Sequence, residues 1–249
     1  MKFQRLQKIE DYLSKNGFAT TRELCDLFNV SQNTVRRDID ELSSHGNIHK
    51  IYGGVMYSES LVDFENRYTT NKEHKLLIAH KAAELIENND LIFIDSGTTT
   101  QLIIQFLHPE KHITIITNNL DVVTAIADHP NIELILVGNR LKRKTHSFIE
   151  VDDWSYFNRI NINKAFMAAT GVSLTKGTTN SDMMEYEIKN KMMRKAEHAI
   201  LLVDSSKFGK TSLVSYASLL DFNTVITDQN CPSEYKNYFK KKQVNVFYV

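Results

Sequence analysis

Short apolar runs recur along the chain after residue 90, and helix-length segments separate them. They occupy residues 91–94, 113–116, 133–137, 165–168, 199–203, 224–226 and 244–247. Runs this short, alternating with helices, predict an α/β domain built on a largely parallel sheet. Ligands of such domains bind beyond the carboxyl ends of the strands. The chain has 249 residues, which leaves room for a second domain before this one.

The N-terminal part of the chain carries helical patterns instead. Thr20–Glu23 is a capping box that opens one short helix, and Asn29–Ser31 is a tight turn before the next. We expect this next helix to stop at Gly46, and the pair Gly53–Gly54 to turn a small hairpin. The residues predicted to face inward are Leu24, Leu27, Phe28, Val35, Ile39 and Leu42. Two short helices joined by a turn, with a hairpin beside them, predict a winged helix-turn-helix domain over residues 1–57.

The second of these two helices presents polar residues on its free face. Asn33, Thr34, Arg36 and Arg37 lie opposite its apolar stripe. In a helix-turn-helix such residues enter the major groove, where Arg pairs with guanine and Asn with adenine. The alternative is a solvated face, with Arg36 paired to Asp40 four residues on. The candidate DNA-binding residues are Ser31, Gln32, Asn33, Thr34, Arg36, Arg37, Lys50, Gly53 and Gly54.

Charge limits how strongly this domain can hold DNA. The formal net charge of the chain is zero, so DNA binding must depend on local placement of cations at the contact. Lys and Arg barely outnumber Asp and Glu within residues 1–57. We therefore expect modest nonspecific affinity and more than one copy of the domain at each site.

The residues of this domain resemble a known pattern. Val30-Ser31, Thr34–Asp38 and Gly53–Gly54 match the helix and the wing of the DeoR/GlpR-type bacterial repressors. The resemblance implies a DNA-binding transcriptional regulator, most often a repressor of carbohydrate-metabolism genes.

Polar residues follow several of the predicted strands. The first strand leads into Asp95–Thr100, a turn with one glycine and several hydroxyls before an expected amphipathic helix. Such a turn binds anions well, because backbone N–H groups, hydroxyls and the helix dipole converge there. The alternative is an ordinary turn in which Thr caps the helix. Glu185 and Lys189 share one face of a later helix, where they form either part of a site or a surface salt bridge.

This second domain also resembles the effector domain of the same family, whose fold is similar to those of ribose-5-phosphate isomerase and CoA-transferases. The resemblance covers essentially the whole chain and implies a phosphorylated sugar as effector, with its phosphate on Gly97–Thr100 and on Lys207 or Lys189. One departure is Asn139, which stands where the family has a second glycine after Gly138 and is expected to alter the edge of the pocket. The candidate effector-binding residues are Asp95, Ser96, Gly97, Thr98, Thr99, Thr100, Thr117, Asn118, Gly138, Gly171, Glu185, Lys189, Asp204 and Lys207.

Other functions compete with regulation by an effector. Residues 75–249 could instead be an enzyme acting on a sugar phosphate, with Asp95, Asp204 and Lys207 in acid–base roles. A scaffold that uses the winged helix for protein contacts is a third hypothesis. The regulator is favoured, because an isomerase has no use for a winged helix.

The remaining features set the expected partners and compartment. We expect a linker over residues 58–74, a homo-oligomer (dimer or tetramer) on paired DNA half-sites, and neither cofactor nor metal. Pro109 separates His108 from His112, so this pair does not share a helical face. The N terminus lacks a secretory pattern and the apolar runs are too short to cross a bilayer, which predicts a cytoplasmic protein without a membrane partner.

Overall fold

The computed structural model describes residues 2–43, 48–51, 53–57 and 64–249. Within residues 2–57 the elements are α1 (Lys2–Asn16), β1 (Phe18–Thr20), α2 (Thr21–Phe28), α3 (Gln32–Ser43), β2 (Ile48–Ile51) and β3 (Gly54–Tyr57). The predicted winged helix-turn-helix is confirmed, and its hairpin gains a third strand because β1 pairs antiparallel with β3. Gly46, the predicted helix stop, lies outside the described residues.

Local chemistry explains where α2 and α3 begin. Thr20 and Glu23 form the predicted capping box at the start of α2, and the Ser31 hydroxyl accepts a hydrogen bond from the Thr34 N–H at 3.3 Å. Asn29, in the left-handed conformation at φ 50°, turns the chain between the two helices. The domain core comprises Leu6, Ile9, Leu13, Ala19, Leu24, Val35, Ile39, Leu42, Ile48 and Val55. The prediction that Leu27 faces inward is wrong: it is 53% exposed, because the inner face of the short α2 is filled by Leu24, with Phe28 packed at its margin.

The second domain contains the remaining elements. Its helices are α4 (Phe64–Thr69), α5 (Lys72–Glu84), α6 (Leu120–Ile126), α7 (Ser155–Asn158), α8 (Met183–Lys195) and α9 (Ser233–Lys242). Its strands are β4 (Leu91–Ile94), β5 (Ile113–Thr117), β6 (Ile132–Leu136), β7 (Arg140–Lys142), β8 (Ser147–Ile149), β9 (Ile162–Ala168), β10 (Gly171–Ser173), β11 (Gly177–Asn180), β12 (Ala196–Leu202), β13 (Val214–Ala217), β14 (Thr224–Thr227) and β15 (Asn245–Tyr248).

All seven predicted runs lie in one parallel sheet, whose strand order is β15-β14-β12-β9-β4-β5-β6. Both faces of the sheet are covered by apolar clusters, which explains why its strands contain short apolar runs rather than regularly alternating patterns. The chain runs from β4 to β5 and β6 on one side of β4, and later to β9, β12, β14 and β15 on the other side of β4. This reversal places a crevice at the carboxyl ends of β4 and β9, where ligands of open α/β sheets bind.

Two predictions about helices need correction. The segment after β4 is a 3₁₀ helix over Thr100–Phe106 rather than an amphipathic α-helix. The Thr100 hydroxyl donates to the carbonyls of Asp95 and Gly97, so the side chain competes with regular α-helical bonding at the helix start. For α5, the apolar pattern predicts that Leu77, Ile78, Ala82 and Leu85 face inward, but Leu77 is 52% exposed. The buried face of that helix instead consists of Lys75, Ile78, Ala79, Ala82 and Ala83.

The predicted linker over residues 58–74 is structured where it is described. Residues 58–63 lie outside the described residues, and from Phe64 the chain forms α4 and then the start of α5. We propose that the second domain starts at α4 rather than at residue 75. No helix of the described residues has the length and apolarity to span a membrane.

Candidate functional site

The face predicted to bind DNA is accessible on α3 and the hairpin. Gln32, Asn33, Arg36 and Arg37 are all exposed. Gln32 and Arg36 line an open groove between α3 and the hairpin, together with Lys50, Gly53 and Gly54. Ser31 and Thr34 are engaged with each other at the start of α3, with their hydroxyls 2.9 Å apart.

The alternative pairing of Arg36 with Asp40 does not form among the described residues. Asp40 instead pairs with Lys50 of the hairpin, which ties the wing to α3 and leaves Arg36 facing the groove. Asp38 has a different role, because it is buried and accepts hydrogen bonds from Arg5 at 2.6 and 3.1 Å. Asp38 therefore anchors α3 to α1, while the two arginines before it remain on the surface.

Steric constraints explain why both wing positions, 53 and 54, are occupied by glycine. Gly53 has a φ of +84°, a conformation that most side chains disfavour. A Cβ on Gly54 would lie 2.4 Å from the carbonyl oxygen of Ala19. Both glycines therefore shape the wing, whatever they contact on DNA.

A second site lies in the sheet crevice at the carboxyl ends of β4 and β9, and we call it the cavity. Its lining residues are Arg67, Ser96, Gly97, Thr98, Thr99, Thr145, Ala168, Ala169, Thr170, Asn180, Ser181, Glu185, Lys189 and Lys207. The open space at its centre is about 40 Å³, room for roughly three water molecules. Seven of the fourteen candidate effector residues line it: Ser96, Gly97, Thr98, Thr99, Glu185, Lys189 and Lys207.

Lys189 and Asp95 form a buried ion pair at the base of the cavity. Lys189 also donates to the carbonyl of Ala168 at 3.1 Å and lies over the ring of Tyr216. Asp95 is fully buried behind the lining and accepts from the Ala168 N–H at 3.0 Å. The charge of Lys189 is thus compensated within the protein, and Asp95 does not line the cavity.

The alternative for Glu185 and Lys189, a surface salt bridge between them, does not form among the described residues. Both side chains are buried, and Glu185 has neutral partners: Ser147 donates to its Oε1 at 2.8 Å and Asn180 to its Oε2 at 2.9 Å. The two residues therefore face the same cavity with separate partners.

Several predicted residues support the site from behind. The Thr100 hydroxyl shapes the turn after β4, and the Thr117 hydroxyl donates to the Ile94 carbonyl at 2.6 Å. Asn118 donates to the Ser96 hydroxyl at 3.3 Å and to the Phe148 carbonyl at 3.2 Å. These contacts join the ends of β4 and β5 to the β7–β8 hairpin.

Gly138, Gly171 and Asn139 do not line the cavity. Gly138 has a φ of +107° and packs on Phe148, and a Cβ on Gly171 would lie 2.5 Å from the Lys210 carbonyl oxygen. Asn139 is exposed and donates to Asp152 at 2.5 Å. The expectation that Asn139 alters the pocket edge is therefore wrong, since the positive φ falls on Gly138 and the Asn139 side chain points to the surface.

Three cations cluster at one end of the cavity. Lys207 and Arg67 line this end, and Lys75 lies behind it, where its ammonium donates to the Thr98 hydroxyl at 3.2 Å and to the Arg67 carbonyl. Burial lowers the pKa of Lys75 to about 8, although Asp204 opposes the shift. Burial likewise lowers the pKa of Lys207, again opposed by Asp204.

Asp204 is a buried carboxylate that balances these cations. Asn71 donates to its Oδ1 at 2.8 Å, and the Ser206 N–H donates at 3.1 Å. Burial alone would raise the pKa of Asp204, but Lys207, Ser206, Asn71 and Lys75 outweigh it and hold that pKa below its ordinary value.

Sequence reasoning missed Arg67 and Lys75 as site residues. Arg67 lies within the predicted linker over residues 58–74, and Lys75 is the first residue of the segment predicted to be the second domain. It also missed Thr145, Thr170, Asn180 and Ser181, which reach the cavity from the β7–β8 hairpin and from the small sheet β10-β11-β13. The position of Lys75 three residues before Ile78, on the apolar stripe of α5, is a signal that could have identified it.

Two family matches decide what kind of protein this is. The DeoR-like helix-turn-helix domain matches residues 5–61, and the DeoR C terminal sensor domain matches residues 70–229. The chain belongs to the DeoR family of transcriptional regulators. As in other DeoR-family members, a helix-turn-helix domain precedes a sensor domain, and the cavity lies in the latter.

Known DeoR-family relatives align along nearly the whole chain. The HTH-type transcriptional regulator IolR of Bacillus subtilis (strain 168) is 48% identical over 99% of both chains. The glycerol-3-phosphate regulon repressor of Escherichia coli (strain K12) is 29% identical over 92% of both chains. Among solved structures, ribose 5-phosphate isomerase A of Methanocaldococcus jannaschii covers 56% of this chain and 55% of its own, with 19% identity and a TM-score of 0.42. These relatives are regulators, and the isomerase is only a distant match.

Proposed function

We propose that this DeoR-family regulator represses carbohydrate-metabolism genes and that a phosphorylated sugar in the cavity controls its binding to operator DNA. The observation that carries the effector proposal is the cationic end of the cavity. Lys207 is half-buried and has no side-chain hydrogen bond or ion pair among the described residues. A partly desolvated ammonium without such a partner gains from a bound anion.

The turn after β4 adds neutral donors to this end. Ser96, Thr98 and Thr99 bring hydroxyls to the cavity beside Gly97, and Arg67 brings a guanidinium suited to phosphate. The names of relatives agree with such a ligand, because one of them is named for glycerol-3-phosphate. Since the segment after the turn is a 3₁₀ helix of seven residues, the phosphate depends on these side chains rather than on a helix dipole.

One lining residue connects the cavity with the part of the chain that leads to the DNA-binding domain. Arg67 is the lining residue nearest in sequence to the DNA-binding domain, which makes α4 the element best placed to respond.

Contacts of α4 tie it to the rest of the sensor domain. Tyr68 donates to Asp121 at the start of α6, and His146 lies 3.0 Å from the same carboxylate. His146 directly follows Thr145, another lining residue. A ligand that moves Arg67 or Thr145 would therefore shift α4, and with it the chain that leads through residues 58–63 to the wing. By linkage, the effector changes DNA affinity by the same factor as DNA changes effector affinity.

The proposed regulator acts as a homo-oligomer in the cytoplasm. Helix-turn-helix proteins bind two half-sites about one helical turn apart, and the modest charge of residues 1–57 favours two copies of the domain on each operator.

The test begins with DNA fragments that the full-length protein selects from its genome. Fluorescence anisotropy then measures affinity for a selected fragment with and without millimolar sugar phosphates. We expect one or more of them to change the affinity at least tenfold in the wild type and not in Lys207→Ala, whereas the exposed-site control Lys241→Ala responds normally. A response that survives in Lys207→Ala contradicts the assignment of the anionic end. Consumption of the sugar phosphate by the pure protein would favour the enzyme alternative instead.

A further inference from the structure

The wing has a buried residue that faces away from the core of its own domain. Met56 in β3 is 2% exposed, yet the core cluster formed by the described residues of that domain contains its neighbour Val55 and not Met56. Successive side chains of a strand point to opposite faces of the sheet. Met56 therefore lies on the outer face of the three-stranded sheet, where Phe18 and His49 stand opposite it on the two neighbouring strands.

The sensor domain contacts this outer face. The Ser212 hydroxyl, in the segment before β13, donates to the thioether sulfur of Met56 at 3.9 Å, and the contact is buried. The two residues are 156 positions apart, so the contact joins the DNA-binding domain to the sensor domain. Because sulfur is a weak acceptor, burial of the apolar side chain contributes more to this contact than the hydrogen bond does.

Hydrogen bonds fix Ser212 to the small sheet β10-β11-β13. Its N–H donates to the Thr179 hydroxyl at 2.8 Å, and the Gly209 N–H in the same segment donates to the Val172 carbonyl at 2.9 Å. The Thr179 carbonyl in turn accepts from the N–H of Thr170 at 2.9 Å, and Thr170 lines the cavity. The site that receives Met56 is therefore an anchored part of the sensor domain.

The contact leaves the face predicted to bind DNA free. Arg36 and Arg37 are exposed, and the groove between α3 and the hairpin is open, although Met56 is buried on the other face of the wing. Packing of the wing on the sensor domain is thus compatible with DNA binding. A DNA-binding domain that is already held in position loses less orientational freedom when it binds.

We propose that the outer face of the wing docks on the sensor domain, with Met56 against Ser212, and that this contact holds α3 in a fixed orientation for binding paired half-sites. Met56 is then a positioning residue, which acts on DNA affinity without touching DNA. The proposal goes beyond the proposed function, because it does not depend on which ligand the cavity binds.

Oxidation of methionine by hydrogen peroxide tests the docking on the full-length protein. Mass spectrometry follows sulfoxide formation at Met56, at Met183, which is 50% exposed, and at Met192, which is fully buried in the sensor domain. We expect Met56 to oxidise at least about tenfold more slowly than Met183, since susceptibility follows exposure. If Met56 oxidises as fast as Met183 in the wild type, the domains are not docked and the proposal is wrong.

A matched pair of variants assigns the protection to Ser212. Ser212→Glu puts a larger, charged side chain against Met56, and the oxidation rate of Met56 should rise toward that of Met183. Slow oxidation of Met192 in the same sample verifies that the sensor domain is folded. The control Ser215→Glu adds the same charge at an exposed position of β13 and should leave Met56 protected. Equal oxidation rates of Met56 in the two variants would contradict the contact.

DNA binding tests the positioning role. Fluorescence anisotropy compares a selected operator with a fragment that keeps one of its half-sites. Ser212→Glu should weaken binding to the operator roughly tenfold relative to Ser215→Glu, because the linked domains are no longer held in register. Binding to the single half-site should be the same in both variants, whereas an equal loss on both DNAs would overturn the positioning role. Neither readout uses a sugar phosphate, so this proposal and the proposed effector can fail separately.

Discussion

Gly97 allows the ends of β4 and β9 to meet at the floor of the cavity, and replacing it with Ala should separate them. A Cβ at this position would lie 2.3 Å from the Cβ of Ala168 and 3.0 Å from the Thr100 hydroxyl oxygen. Carbon atoms in contact normally lie about 3.5–4.0 Å apart, so the two strand ends must move apart by more than about 1 Å. The neighbouring hydrogen bond from Ala168 N–H to Asp95, 3.0 Å long, would be strained by the same movement.

The expected cost follows from the contact that causes it. Overpacking of this kind destabilises a domain by about 1–3 kcal/mol. Ala168→Gly removes the atom that Gly97→Ala would strike, at a cost of roughly 0.5–1 kcal/mol for glycine in a strand. The double variant should therefore be at least about 1 kcal/mol more stable than the sum of the two single changes predicts. Destabilisation that Gly97→Ala still causes in the Ala168→Gly background comes from the contact with Thr100.

Urea denaturation of the wild type, both single variants and the double variant measures this coupling. Trp154, the single tryptophan of the chain, lies in the sensor domain and reports its unfolding by fluorescence. If the two changes are additive within about 0.5 kcal/mol, as independent sites are, the close approach of Gly97 to Ala168 does not explain why residue 97 is a glycine.

Three further predictions concern charged residues. Arg37→Ala should weaken binding to a selected operator by roughly 10–100-fold, the range for one bidentate base contact, and unchanged sequence selectivity in an anisotropy assay would show that α3 is not the recognition helix. Lys189→Met leaves Asp95 buried without its cation and should cost about 3–5 kcal/mol in urea denaturation. The added change Asp95→Leu should recover most of that loss, and no recovery would contradict the ion-pair argument. Lys75 has a folded pKa of about 8 against about 10.4 unfolded. The unfolded chain therefore holds more protons between these values, and stability should rise with pH across that window by up to about 3 kcal/mol. Lys75→Met should lose this part of the rise, and parallel stability–pH curves for the two proteins would refute it.

The sheet could be predicted from the sequence because burial on both faces leaves a simple signal. Its strands carry short apolar runs, as at Leu91–Ile94, and helix-length segments separate those runs along the chain. The strand β11 shows the limit, since Gly177–Asn180 is fully buried and yet polar. Thr178 donates to the Ala217 carbonyl, 39 residues away, and Thr179 accepts from the Ser212 N–H, 33 residues away. No local pattern reveals such partners.

The site was only partly predictable for a similar reason. Ser96–Thr99 follow a strand directly, so their position could be read from the end of that strand. Arg67 lines the same cavity and Lys75 lies behind it. Both belong to helices that precede the sheet, so their position depends on tertiary packing. Asp204 was found from its strand end, but its partnership with Asn71, 133 residues away, was not.

The position of Arg67 on α4 has a consequence for how such a regulator can evolve. A helix that lines the ligand cavity and also leads toward the DNA-binding domain cannot be altered for one purpose alone. Substitutions that retune which metabolite is sensed would also change how leaky the controlled promoter is in the absence of that metabolite. New specificities should therefore arise more freely at Thr170 and Asn180, where the cavity can be reshaped without disturbing basal transcription.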